Sequence, residues 1–192
     1  MKALRDAIMA YGRGVGEDVV KVDMFLNHRI DTTLLFQMGD AFADYFRVDR
    51  PTLVLTVEAS GIALAVAAAH SLNDIPVVFA KKSHAVNQAE DMAQVRSYSF
   101  THKCETMLRV DKKYIPIGSR VLIIDDFLAE GNAVMAMTRL AETLGAKVCG
   151  VGVAVEKGFQ NGGKALRAKG VNLKSLAVIQ SIENGVITLM DD

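Results

Sequence analysis

Short apolar runs alternate with longer amphipathic ones along this chain, and from residue 53 onward the alternation follows a strand–helix order. Leu53 to Val57 is the first run, with a helical stretch from Gly61 to Leu72 after it, and Pro76 to Ala80 is the second. Arg120 to Ile124 is the third, followed by a helix from Ala133 to Leu144, and Lys147 to Glu156 is the fourth. Runs in which every neighbour is apolar, such as Val121-Leu122-Ile123-Ile124, suit strands buried on both faces, as in a parallel sheet. The pattern therefore predicts an α/β domain whose central, mostly parallel sheet is flanked by helices. Sheets of this kind bind ligands at the carboxyl ends of their strands, where the strand order reverses. Those ends carry Glu58 to Gly61, Lys81 and Lys82, Asp125 onward, and Glu156 to Phe159.

Two regions depart from a plain doubly wound pattern. Residues 1–50 hold helical stretches flanking Lys21 to Arg29; residues 157–192 hold a helix from Gly163 to Lys169 and short strands near Leu176 to Ile182 and Val186 to Met190. The two ends are expected to meet above the sheet. Between Lys82 and Arg120 runs a long connection with few apolar stretches, the kind that often serves as a functional lid.

Composition narrows the reading. A chain of 192 residues supports one substantial core, and 51% hydrophobic against 23% charged residues marks it as globular. Its 22 basic and 22 acidic residues cancel, so no overall field attracts nucleic acid or an anionic membrane. The N-terminus mixes charges early, and no segment approaches the roughly 20 apolar residues that cross a bilayer, so a reducing cytoplasm is the expected address. Neither Cys104 and Cys149 nor His28, His70, His84 and His102 show metal-ligand or disulfide spacing. From Lys157 to Lys174 five basic residues (Lys157, Lys164, Arg167, Lys169, Lys174) follow one another without an acid, which is either a patch for an anion or a solvated helix face.

Chemistry concentrates in the run Val121 to Ala133. Asp125 and Asp126 end an apolar strand and offer acceptor-only oxygens to hydroxyl donors such as a ribose diol. Leu128 to Ala133 then turns into a helix whose first N–H groups have no intrahelical partner, a place an anionic phosphate fills. Adjacent strand side chains point to opposite faces, so one of the two aspartates is expected to reach the sugar and the other to orient the loop. The plain alternative is a strand end with an Asx turn and a helix cap. Glu58-Ala59-Ser60-Gly61 forms a second small-residue turn suited to an anion, or else an ordinary turn in which Ser60 caps the helix. Lys81 and Lys82 are either cations for that anion or a solvated pair. Phe159 can stack on a flat heterocycle while Lys157 donates to an oxo group; a core ring and a solvated lysine are the alternatives.

Taken in order, the blocks Lys21 to His28, Val57 to Ala63, Pro76 to Lys82, Ser97 to Phe100, Val121 to Ala133 and Glu156 to Gln160 resemble those of the type I phosphoribosyltransferases, over nearly the whole chain. The phosphate loop is closest to the xanthine-type branch. The resemblance implies the type I fold in a single domain, with a core of about 35–156 and a small hood from about 1–34 and 157–192. It implies transfer of the phosphoribosyl group of phosphoribosyl diphosphate (PRPP) to xanthine in purine salvage, with Mg2+ bound to the substrate, no protein metal site, and a homodimer. Asp125 and Asp126 would be catalytic. Ala129, Glu130, Gly131, Asn132, Ala133, Glu58, Ala59, Ser60, Gly61, Lys81, Lys82, Ser97 and Tyr98 would bind PRPP, with Glu58 to Gly61 as the diphosphate loop and Ser97-Tyr98 in the flexible loop. Val20, Asn27, Lys157 and Phe159 would bind the base.

The phosphate loop departs from the commonest family pattern, which has threonine and glycine where Glu130, Gly131, Asn132 and Ala133 stand. Backbone N–H groups and the Asn132 amide must then do more, and Glu130 is expected to point to solvent. The Asn27 amide can donate to a 2-oxo group or turn and accept from the 2-amino group of guanine, so it does not by itself separate the two bases. Guanine or hypoxanthine transfer, and a regulator that binds PRPP or a purine without catalysis, remain the alternatives.

Overall fold

The apolar runs become neighbours in one sheet because each needs partners on both edges and cover on both faces. The computed structural model describes residues 1–82, 91–99 and 104–191. Its main sheet contains β3 (Leu53–Val57), β4 (Val77–Ala80), β7 (Arg120–Leu128), β8 (Lys147–Lys157), β9 (Leu173–Glu183) and β10 (Val186–Leu189), in the order β10-β9-β8-β7-β3-β4. Only the β9–β10 pair is antiparallel. Val121 to Ile124 are all fully buried, as a strand sandwiched between two helical layers requires.

Side-chain alternation along β7 divides the core. Leu122 and Ile124 join the cluster containing Met38, Phe42 and Phe46 of α2 (Thr32–Phe46) and Leu64 of α3 (Gly61–Ser71). Val121 and Ile123 join the cluster containing Met137 and Leu140 of α4 (Asn132–Thr143). With α3 on one face and α4 on the other, the chain leaves β3 toward β4 in one direction and β7 toward β8 in the other. The strand order therefore reverses between β3 and β7, the position where such folds open a crevice.

Three sequence expectations shift. The third strand does not stop at Ile124: it continues to Leu128 because β8 keeps pairing with it, Phe127 opposite Val155 and Leu128 opposite Glu156. Residues 173–189, assigned to the hood by the resemblance, extend the main sheet, since β8 is buried over most of its length and takes β9 as its second edge partner. The connection after Lys82 is a hairpin of β5 (Met92–Ser99) and β6 (Cys104–Asp111), fastened to the end of β4 by the Lys81 and Arg109 backbones at 2.9 and 3.0 Å. Phe100, His84 and His102 lie outside the described residues.

The chain ends meet at the β9–β10 end of the main sheet, not above it as expected. The Met1 ammonium, at the start of α1 (Lys2–Tyr11), donates to Leu176 O at 2.6 Å. A small antiparallel ribbon of β1 (Arg13–Val15) and β2 (Val19–Lys21) bonds through Gly14 N to Gly185 O at 3.1 Å. Among the described residues no helix is long and apolar enough to cross a membrane.

Candidate active site

At the strand-order reversal β3 ends at Val57 while β7 runs on, so the Asp125 carboxyl of β7 lies against the start of the helix that follows β3. Asp125 and Asp126 are buried, 4% and 9% exposed, and Asp125 Oδ1 accepts from Asp126 N at 3.0 Å. A Cβ on Gly61 would stand 2.3 Å from Thr56 Oγ1 and 3.2 Å from Asp125 Oδ1, so both oxygens crowd against the first residue of α3. Burial, followed by the neighbouring Asp126 charge, holds the Asp125 carboxyl well above the usual carboxylate range, and the Lys82 ammonium opposes them. Lys82 thus acts electrostatically on the aspartate, whereas Lys81 is tied through its backbone to Arg109.

The Glu58 to Gly61 turn is held at both ends. Glu58 N donates to Ala80 O at 3.1 Å, Glu58 Oε1 accepts from Lys82 N at 2.5 Å, and the Glu58–Ala59 peptide is cis. Ala59 and Ser60 are exposed. Ser60 stands at the N-cap position of α3 but its hydroxyl makes no cap bond, contrary to the plain helix-cap alternative. Ile62 N is taken by Ala59 O at 3.2 Å, so it is the amides before it that no side-chain cap contests.

The second turn is shorter than the sequence suggests. Ala129 and Glu130 are half-buried, Gly131 is the buried N-cap of α4 with φ +82°, and Asn132 and Ala133 are already the first helical residues. Glycine reaches that left-handed backbone without Cβ strain. On the far side of Asn132, Ser97 and Tyr98 of β5 share a cavity of about 220 Å3 with Arg96, Glu105, Met135 and Arg139. Arg139 Nη2 donates to Arg96 O at 3.0 Å, so the hairpin leans on α4, beside the second turn.

The remaining predicted residues lie toward the hood. Lys157 closes β8, half-buried, and its ammonium donates to Asp18 O at 2.5 Å while sitting 5.9 Å from the centroid of Phe127. Burial pushes its pKa down and the Asp18 charge opposes that. Phe159 lies beyond the strand, in a turn, 38% exposed, beside a cavity of about 760 Å3 lined by Gly16, Glu17 and Ser181 to Gly185. Val20 is buried in β2, and Asn27 is exposed at the end of a wide helical turn, Asp23–Asn27. Neither Val20 nor Asn27 lines the Phe159 cavity.

Comparison with known proteins agrees with this architecture. The phosphoribosyl transferase domain matches residues 30–180. A xanthine phosphoribosyltransferase of Clostridioides difficile (strain 630) is 45% identical over 187 residues, covering 97% of this chain and 98% of that one.

The chain belongs to the phosphoribosyl transferase family.

A second relative of this phosphoribosyltransferase, the xanthine phosphoribosyltransferase of Ruminiclostridium cellulolyticum, is 45% identical over 191 residues and the whole of both chains. Among solved structures, adenine phosphoribosyltransferase from Rhodothermus marinus superposes with a TM-score of 0.75 at 23% identity, over 93% of this chain and all of that one. The likeness to that structure is one of fold.

Three residues near the site were given no role by the sequence: Arg109, Glu156 and Arg167. Arg109 is buried on β6 and donates to Lys82 O at 3.3 Å; its Nε has no partner among the described residues. Glu156 is buried at the end of β8 and held by Arg167. That pairing also breaks up the basic run: Arg167 meets Glu156, Lys157 meets Asp18 O, and Lys174 stands 5.2 Å from the Tyr45 ring centroid. The one sequence signal was an acid ending an otherwise apolar strand.

Proposed function

We propose that this phosphoribosyltransferase transfers the 5-phosphoribosyl group of PRPP to xanthine, giving xanthosine 5′-monophosphate and diphosphate in purine salvage. The observation that carries the reading is the buried Asp125–Asp126 pair at the strand-order reversal, between two turns that each open a helix. The full-length likeness to proteins named for xanthine supports the base. The Ala129 to Ala133 turn receives the 5-phosphate, with backbone N–H groups and the Asn132 amide as donors. Glu58 to Gly61 receives the diphosphate, with Lys82, whose charge acts on Asp125, as its cation.

Asp125 and Asp126 accept from the ribose hydroxyls and stand beside positive charge that develops on the sugar as the diphosphate leaves. Catalysis is then positioning plus preorganised electrostatics, with no covalent intermediate on the protein. The Lys157 ammonium donates to the 6-oxo group and Phe159 stacks on the ring; Asn27 and Val20 bound the 2-oxo side. Glu58, Asp125 and Asp126 would hold a magnesium arriving with the substrate, since one that keeps its waters needs one or two carboxylates and the substrate's own phosphates, and it would supply charge neutralisation at the diphosphate. The enzyme works in the cytoplasm as a homodimer on this reading, which light scattering would test.

Diphosphate release in the presence of magnesium, PRPP and each purine is the test. Release with xanthine at a kcat/KM above that for guanine and hypoxanthine is expected. A preference for guanine would overturn the choice of base, and no release with any purine would overturn the activity.

A further inference from the structure

We propose that the Glu156–Arg167 pair is a clamp that sets the position of the Ala129 to Ala133 turn, and that both are positioning residues for the 5-phosphate end of PRPP. The inference rests on the reading of that turn as the phosphate cradle.

Glu156 is well placed for the role. It lies at the end of β8, opposite Leu128 of β7 and Val178 of β9, so its backbone is fixed by strands on both sides. Leu128 is the last residue before the turn, and Lys157 is the next residue along β8. The Glu156 side chain is 5% exposed, yet both oxygens are occupied: Arg167 Nη1 donates to Oε1 at 2.6 Å, Arg167 Nη2 to Oε2 at 2.7 Å, and the Ser175 hydroxyl to Oε2. A forked pair of this kind fixes orientation as well as distance. Burial raises the carboxyl pKa, but Arg167 and Ser175 outweigh it and the net shift is downward.

Arg167 lies near one end of α5 (Gly162–Ala168), and the other end touches the turn. Gly162 N donates to Ala129 O at 3.1 Å. A Cβ on Gly162 would stand 2.2 Å from Ala129 O, 2.7 Å from Gly131 N and 2.8 Å from Glu130 C. All three are backbone atoms of the turn and cannot swing away as a side-chain tip does. A Cβ on Gly163 would stand 1.9 Å from Glu156 Oε1. Two adjacent glycines therefore let α5 lie against the turn and the carboxylate at once. The short helix is a strut with its start pressed on the turn and its end gripped by a carboxylate of fixed position.

Displacing the turn should weaken the phosphate end of the substrate and spare the base. We expect Gly162→Ala and Arg167→Gln to raise KM for PRPP and Kd for ribose 5-phosphate by about tenfold or more, because misplacement of a positioning group by about 1 Å can cost up to 10²-fold. KM for xanthine should stay within about twofold, and Arg167→Lys should recover part of the loss, since one of two forked bonds survives. Thermal melting of each variant identifies any that fails to fold, and Arg167→Lys then carries the test. A control, Ala133→Glu, puts a carboxylate in the turn itself. If it binds ribose 5-phosphate as the parent does, the cradle reading fails, and the clamp with it. If it loses binding while Gly162→Ala and Arg167→Gln keep it, the cradle stands and the clamp is overturned. Parallel rises in both KM values would also overturn it.

Discussion

The two turns that flank Asp125 and Asp126 are both strand-to-helix connections, yet they are held in different ways. Glu58 to Gly61 is fixed by the strand beside it: Ala80 O and Lys82 N each bond Glu58, and the β6 hairpin arm fastens Lys81 in turn. Ala129 to Ala133 has no such strand bond among the described residues. It is fixed from above by a seven-residue helix that touches it at Gly162 and is anchored through Arg167 to a buried carboxylate. The first turn depends on one backbone bond to the neighbouring strand and one accepted by the Glu58 side chain, both made to residues that the strand pairing already fixes. The second depends on particular side chains and on the absence of others, so single substitutions some distance from the turn should disturb it more readily.

Asp125 is shared by both halves of the site, and its loss should have the largest effect. Asp125→Asn is expected to lower kcat/KM by about 10²-fold, since on the proposed reading it puts an amide where the ribose hydroxyls need an acceptor. The same variant should be more stable at neutral pH. A carboxyl whose folded pKa lies above the ordinary 3.8 contributes stability below that value and loses it as pH rises through the folded pKa. Keeping this carboxyl in the fold is thus a cost at pH 7, and an amide relieves it; a raised melting temperature is expected. An unchanged or lowered melting temperature at pH 7 would contradict this account of the buried pair.

Next comes the strand-held turn. Gly61→Ala drives a methyl group into Thr56 Oγ1 and toward Asp125 Oδ1, at 2.3 and 3.2 Å. Inhibition by free diphosphate should weaken by about tenfold, while ribose 5-phosphate binding changes less. Equal loss of both ligands would show that the two turns are not separable. In the helix-held turn, Gly131→Ala imposes a left-handed backbone on alanine at a cost of about 1–2 kcal/mol. Calorimetry should show a fall of several degrees, with ribose 5-phosphate affected more than diphosphate.

The smallest effect is a pH dependence confined to the helix-held side. Glu156 has a folded pKa below its ordinary 4.5, so its ion pair contributes stability above that value and loses it as pH falls through the folded pKa. Melting curves should decline more steeply below pH 4.5 in the parent than in Glu156→Gln. Parallel acid profiles would remove the pair from the explanation.

The elements were legible because their patterns are local. β3 was read to the residue, and α3, α4 and β8 to within one residue at each end. The end of β7 was misread because Asp125 and Asp126 look like a strand terminus, whereas pairing with β8 carries the strand to Leu128. β9 was assigned to the hood because the resemblance implied a hood built from the terminal segments, and only β8's need for a second partner brings it into the sheet. In the site, the acidic pair and both turns stood out as adjacent residues with evident chemistry. Arg109, Glu156 and Arg167 did not, because an isolated charge reads as solvated until its burial and partner are known.

Sequence alone determined the alternation of elements, the absence of net charge and the concentration of polar chemistry at strand ends. These follow from side-chain hydrophobicity and from backbone preferences that act over a few residues. Tertiary structure decided which strands lie side by side, which aspartate is packed beneath Gly61, and that a carboxylate at residue 156 is tied to a guanidinium eleven positions along the chain. Those outcomes depend on desolvation and on distances across chain segments, so no local pattern encodes them. The two glycines at 162 and 163 join the two levels: the letters are visible in the sequence, but the backbone and carboxylate they make room for appear only in the fold.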